Sequence, residues 1–332
     1  MSVSDSVLVT GGAGYIGSHV VHALRDRGQR AVVIDDLSFG HREVVPEDVP
    51  LIVGDIGDRA LLDRVFESCR IDAVVHLAGA ILVAESVVDP LKYYQRNTAA
   101  AATLLQACVA HGVSRFVFSS TAAVYGAPET VPIPETAPLA PINPYGRSKL
   151  AVEWMLEDAA RATPLRYLAL RYFNVAGADA ELRTGEWRPQ ASHLINVACE
   201  AALGYRDGMT VNGTDFPTRD GTCVRDYVHV ADLADAHLAA LDHLDAGGDS
   251  TAVNCGDGRG TTVREVVETV KRLSGTDFRA DDAPRRPGDP PALVADPSRA
   301  HGLLRWRARR SLDEMIASAL AWERKRRGMA GG

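Results

Sequence analysis

The run Thr10-Gly11-Gly12-Ala13-Gly14-Tyr15-Ile16-Gly17 constrains this chain more than any other stretch. It follows a short apolar run, 7–10, and leads into a helix-length segment, 17–27. Glycines in such a turn let backbone N–H groups approach a pyrophosphate at the positive end of a helix. Three glycines can equally make a tight turn and nothing more, so the residues that follow decide. Asp35-Asp36 closes the next apolar run, 31–34, about where a ribose-binding acid is expected. Strand, turn, helix and acid thus occur in the order a dinucleotide site needs. A carboxylate at Asp35 accepts hydrogen bonds from ribose hydroxyls and repels a 2′-phosphate, which favours NAD over NADP. Arg42, in the loop beyond, is the rival sign.

Further apolar, β-branched runs at 51–53, 73–77, 116–119 and 167–170 alternate with helix-length segments at 59–69, 98–111 and 145–161. This alternation predicts a doubly wound α/β fold built on a parallel sheet. Six prolines between 128 and 144 deny that stretch a regular helix or central strand. Asn143-Pro144 then reads as an N-cap and first helical position. After about Tyr172 the alternation weakens, and residues 177–189 and 212–225 are assigned mainly to substrate binding. A second strand-helix piece, 251–255 and 262–273, predicts a smaller mixed α/β lobe in the last third. Residues 1–172 are therefore read as mainly dinucleotide-binding and 173–332 as mainly substrate-binding, with some chain crossing back.

Composition removes other classes. Thirty-six Lys and Arg against 43 Asp and Glu leave a formal charge of −7, which argues against coating nucleic acid or an anionic membrane. The basic runs 305–310 and 324–327 read as solvated surface. The five cysteines are scattered without a CxxC pair, and the ten histidines form no HExxH, so neither a disulfide framework nor a metal site is expected. The start lacks a signal-peptide pattern and no stretch is long enough to span a bilayer, so a cytoplasmic protein is expected.

Tyr145-Gly146-Arg147-Ser148-Lys149 places a phenol and an ammonium on one helix face. A nearby cation favours phenolate and lowers the Tyr pKa toward that of a general base. A Tyr followed four residues later by Lys is common on exposed helices. Here it follows a dinucleotide turn and the strand ending Ser119-Ser120-Thr121, whose last hydroxyl could bridge a sugar hydroxyl and Tyr145.

These two motifs, with Arg171-Tyr172-Phe173-Asn174 and the run from Asp220 through Arg225-Asp226-Tyr227 to Ala234, resemble the extended short-chain dehydrogenase/reductase family, and within it the nucleotide-sugar 4-epimerases. The resemblance runs from Val7 to about Trp322. It implies a Rossmann-like NAD-binding domain, with Tyr145 as base and acid, Lys149 as its tuner and a cofactor-ribose contact, and Thr121 as hydroxyl relay. Implied cofactor contacts are Gly11, Gly14, Tyr15, Ile16, Asp35, Asp36, Asp55, Ile56, Ala78 and Asn97. Implied nucleotide-sugar contacts are Asn174, Arg225, Arg286 and Asp289, the arginines near the diphosphate or uridine ribose. The implied activity interconverts UDP-glucose and UDP-galactose through a bound 4-keto sugar, with NAD regenerated in each cycle. Such relatives are commonly homodimers, and segments 89–111 and 145–161 are the candidate interface.

The chain departs from the pattern in places. Thr121 stands where many members have Ser, and Ile81 where some have Lys. His193 replaces an amide, so it either contacts the diphosphate or is merely structural. Leu293 occupies a position whose bulk helps decide whether an N-acetylated sugar fits, and Leu leaves that open. A UDP-pentose or UDP-uronate 4-epimerase remains a rival. A dehydratase would carry an acid pair after the active-site Thr, whereas Ala122-Ala123 stand there. A non-catalytic NAD-binding module would typically lose Tyr145 or Lys149, and both are present.

Overall fold

The apolar runs line up as one seven-stranded parallel sheet in the computed structural model, which describes residues 6–188, 193–286 and 289–329. The first body reads β1 (Ser6–Thr10), α1 (Tyr15–Asp26), β2 (Arg30–Asp35), β3 (Leu51–Val53), α2 (Arg59–Ser68) and β4 (Ile71–His76). It continues through α3 (Val83–Val88), α4 (Pro90–Tyr93), α5 (Ala100–Ala110), β5 (Arg115–Thr121), α6 (Pro144–Ala162) and β6 (Arg166–Tyr172). Next come β7 (Asn174–Ala176), α7 (Leu194–Ala202), β8 (Met209–Asn212), β9 (Val224–Arg225), β10 (Tyr227–His229), α8 (Val230–Asp245) and β11 (Thr251–Cys255). The chain closes with β12 (Thr261–Thr262), α9 (Val263–Ser274), β13 (Ala280–Ala283), β14 (Ala292–Leu293), α10 (Ser298–Leu304) and α11 (Leu312–Met329).

Alternate side chains of each strand enter opposite cores, which is why these strands are apolar on both faces. Val7, Val9, Ala73, Val75 and Val117 pack under α1 and α8, whereas Leu8, Val74, Phe116 and Phe118 pack under α2, α5 and α6. The sheet order is β11-β6-β5-β4-β1-β2-β3. The chain reverses direction of travel between β1 and β4, and a doubly wound sheet binds ligands in the crevice at that point. Asn143 caps α6 as expected, its side-chain oxygen accepting from Gly146 N at 2.8 Å with Pro144 following.

The smaller lobe expected of the last third is present, but the strand-helix piece is divided between the two halves. β11 joins the large sheet beside β6, in register from Thr251 with Leu168 to Cys255 with Tyr172. Only the helix of that strand-helix piece, α9, enters the smaller body, where it packs with α7 and α11 around Ile195, Val266, Val270 and Ile316. Pairing between distant strands leaves no local sign, so the strand looked like part of the lobe that follows it. In the second basic run Arg324 and Lys325 are exposed as expected, but one residue departs. Arg326 is buried, with its guanidinium at 2.7 Å from Glu323 and 3.2 Å from Glu200.

Candidate active site

The turn after β1 is shaped by close approach. Gly11 has φ +72, and a methyl group there would stand 2.7 Å from Ala78 N. A methyl group on Gly17 would come within 2.0 Å of Gly11 O, so the first turn of α1 can close on the loop only without a side chain. Gly14 is the N-cap of α1 and offers no side-chain cap. The first-turn N–H groups therefore face the cleft without a side-chain acceptor, a donor set that suits a pyrophosphate. Asp35 closes β2, and its carboxylate accepts from Ala13 N at 3.0 Å and Leu37 N at 2.9 Å. Burial raises its pKa against those two bonds. Asp36 is more open and meets Arg96 at 2.8 Å. The residues present thus fit a dinucleotide with free ribose hydroxyls. Arg42 lies in a short 3-10 turn and is not among the residues lining the cleft.

The cleft at this crevice has a volume of about 1150 Å³. Clefts for a single drug-sized ligand run to roughly 1,000 Å³, so this one is large enough for a ligand of dinucleotide size. Gly11, Gly14, Tyr15, Ile16, Asp35, Asp36, Asp55, Ile56 and Ala78 line it, and so do Thr121, Tyr145, Lys149, Asn174 and His193. Ile81 lines it too. Asn97 stands behind the wall. Its amide accepts from Ala80 N at 2.7 Å and donates to Ala80 O and Ser148 Oγ, both at 3.0 Å. It braces the Gly79-Ala80 loop. A π-helical turn, Tyr94–Ala99, aims it there.

Thr121 ends β5, and Tyr145 opens α6. Lys149 follows one turn on, deeply buried, with Nζ donating to Ser119 O at 3.1 Å and lying 5.2 Å from the Phe118 ring centre. Burial pulls the Lys149 pKa down to about 8. The Tyr145 phenol shifts opposite to the expected lowering. Burial raises its pKa, and the hydrogen bond with Thr121 opposes this. Lys149 is turned toward Ser119 O, so within the chain itself its charge does not outweigh that desolvation.

A second group lies along the β9 and β14 pairing, apart from the cleft lining. Arg225 donates to Pro290 O at 3.1 Å and approaches Asp289 at 3.4 Å. Asp289 N donates to Arg286 O at 3.2 Å, so one short segment carries both residues opposite Arg225. Leu293 packs against the cluster that holds Ala122 and Tyr125, linking this segment to the wall behind Thr121. Sequence reasoning missed the residue that builds this arrangement. Asp226 accepts from Asp257 N at 2.8 Å and from Gly258 N and Ala295 N at 3.0 Å. Burial, then Asp257, raises its pKa to about 7. It lies in the run Arg225-Asp226-Tyr227, but its partners lie 31 to 69 residues away.

Tyr227 and Phe173, both within the motifs named above, and Glu186 and Arg188, within 177–189, also line the cleft. His193 stands at the N-cap of α7, its Nδ1 at 3.3 Å from the buried carboxylate of Glu186. Of the segment 177–189, Pro189 lies outside the described residues, and 177–188 bridge both halves. Their hydrogen bonds go to Tyr15, Ser18, Asp26 and His41 on the cofactor side and to Ser318, Trp322 and Lys325 of α11 on the other.

Comparison with known proteins agrees with this architecture. The model of the NAD dependent epimerase/dehydratase family matches residues 7–256. UDP-glucose 4-epimerase of Azospirillum brasilense is 60% identical, covering 97% of this chain and 93% of its own length. The crystal structure of UDP-glucose 4-epimerase from Brucella ovis in complex with NAD superposes with a TM-score of 0.93 at 46% identity, covering 96% of this chain and 98% of that one. The enzyme from Stenotrophomonas maltophila, with bound NAD and formylated UDP-arabinopyranose, gives 0.95 at 38% identity, over 98% and 100%. This chain belongs to the NAD dependent epimerase/dehydratase family, within the extended short-chain dehydrogenases/reductases.

Proposed function

We propose that this protein is an NAD-dependent 4-epimerase that interconverts UDP-glucose and UDP-galactose through a transient 4-keto sugar. One observation carries the reading: Thr121, Tyr145 and Lys149 open into the same cleft as the uncapped dinucleotide turn, with no acid after Thr121. Bound NAD supplies a reversible acceptor for the hydrogen on sugar carbon 4. Tyr145 takes the 4-hydroxyl proton, with Thr121 bridging, and returns it after the keto sugar has presented its other face. Lys149 keeps a positive charge one helical turn from the phenolate. Ala122 and Ala123 cannot transfer a proton, so the keto sugar has no route to elimination there.

Arg225 and Arg286 anchor the diphosphate or uridine ribose through charge-assisted bonds, with Asn174, Asp289 and His193 completing the nucleotide contacts. Firm polar contacts on the nucleotide leave the hexose free to turn. Residues 1–172 mainly serve NAD and 173–332 mainly the nucleotide sugar. The protein works as a cytoplasmic homodimer. No helix among the described residues is long and apolar enough to cross a membrane. Leu91 and Trp154, 75% and 56% exposed on the neighbouring helices α4 and α6, supply an apolar face for the partner.

The test is a product assay without added reductant on UDP-glucose, UDP-N-acetylglucosamine, UDP-xylose and UDP-glucuronate in parallel. UDP-galactose forming from UDP-glucose supports the reading. Strict consumption of external NAD would replace it with a dehydrogenase.

A further inference from the structure

Residues 177–188 lie across the cofactor end of the molecule and are fastened on both sides. Toward the large sheet, Tyr15 Oη donates to Gly177 O at 2.7 Å, and the hydroxyls of Ser18 and Thr184 meet at 2.5 Å. Arg183 adds two bonds to the Asp26 carboxylate, at 3.0 and 2.9 Å. Toward the smaller lobe, Trp322 Nε1 donates to Glu186 O at 2.9 Å and Lys325 Nζ to Leu182 O at 2.7 Å. The segment then returns to the mouth of the cleft and meets the loop after β2. There Arg188 lies 5.8 Å from the Phe39 ring centre, and both residues line the cleft. Just outside, His41 and Trp187 stack with centroids 4.6 Å apart and planes 12° from parallel. His41 Nε2 also donates to Trp187 O at 2.9 Å.

We propose that residues 177–188 are a strap that retains NAD through repeated turnovers, clasped by Phe39 with Arg188 and by His41 with Trp187. The proposal rests on the reading above, in which NAD is restored in each cycle and an exit route would serve nothing. A dinucleotide leaving the crevice must part its two rims, and the clasp joins those rims directly. Arg188 cannot simply swing aside, since its guanidinium is held at 3.1 Å by the buried Glu186 carboxylate. The strap cannot lift from one end either, because its bonds run to both bodies.

The experiment measures NAD dissociation from the purified full-length protein by chase with excess unlabelled NAD. The wild type is compared with Phe39→Ala, at a half-exposed ring, and with His41→Ala, a side chain outside the cleft. NAD should leave both variants roughly tenfold faster, the scale of one lost aromatic or cation–π contact. His41→Ala should turn over at the wild-type rate once NAD is saturating. Dissociation unchanged in both variants, with a wild type that holds NAD, would overturn the strap alone. A wild type that binds no NAD would overturn the functional reading beneath it.

Discussion

Arg171 and Glu153 face each other directly behind the catalytic end of β5, with Nη2 to Oε2 at 2.6 Å and Nε to Oε1 at 3.1 Å. Ser120 donates to the same carboxylate, and Arg171 Nη1 donates to Tyr125 Oη at 2.8 Å. The pair is almost wholly buried and joins α6, β5 and β6. Removing one partner leaves a charge without compensation in the interior. Glu153→Ala should therefore destabilise the protein by about 3–5 kcal/mol, read from urea unfolding. A loss under about 1 kcal/mol, as exposed pairs show, would contradict the burial argument.

Tyr145→Phe keeps the ring and removes the proton carrier. Turnover of UDP-glucose should fall about 10²–10⁴-fold, the range of general acid–base catalysis, while NAD stays bound. Near-normal turnover would remove Tyr145 from the role of base.

Lys149 titrates at about 8 instead of 10.5, because folding strips its ammonium of water. Below pH 8 both folded and unfolded chains hold the proton, and that cost is fully present. As pH rises from 8 to 10.5 the folded chain releases the proton first, so the cost is relieved. Lys149→Met should accordingly lose stability relative to the wild type as pH rises. Thermal unfolding of the NAD-stripped proteins at about pH 7 and about pH 10 checks this. A Tm difference that stays constant would show that Lys149 is not desolvated.

Leu293 packs against the buried cluster of Ala122, Val124 and Tyr125, so a larger side chain there takes up space beside Thr121. Leu293→Tyr should depress any turnover of UDP-N-acetylglucosamine more than that of UDP-glucose. Equal losses on both sugars would exclude a size gate at this position.

Trp154→Glu together with Leu91→Glu places charge on the proposed partner face without entering either core. Analytical ultracentrifugation should find a monomer where the wild type is a dimer. A mass unchanged by the pair would move the interface elsewhere.

The cofactor half was legible because its demands are local. Gly11 needs a positive φ and Gly17 needs room beside Gly11 O, and both requirements are visible as letters in one short run. Asn143-Pro144 announced α6 in the same way. What was hidden depends on partners far along the chain. Arg326 reads as solvated in sequence, yet Glu200 faces it, and nothing local shows that 177–188 bond to both α1 and α11. The gathering of Arg225, Arg286 and Asp289 depends on β14 pairing with β9, which no local pattern records.

The place of β11 has a consequence for any attempt to cut this protein in two. A fragment ending at Tyr172 would keep the glycine turn, Tyr145 and Lys149, yet expose the whole hydrogen-bonding edge of β6 that β11 covers. It would also uncover the apolar face of α1 that packs under α8. An open strand edge beside a bare hydrophobic helix is a template for self-association. Such a fragment would precipitate instead of serving as a minimal nucleotide-binding module.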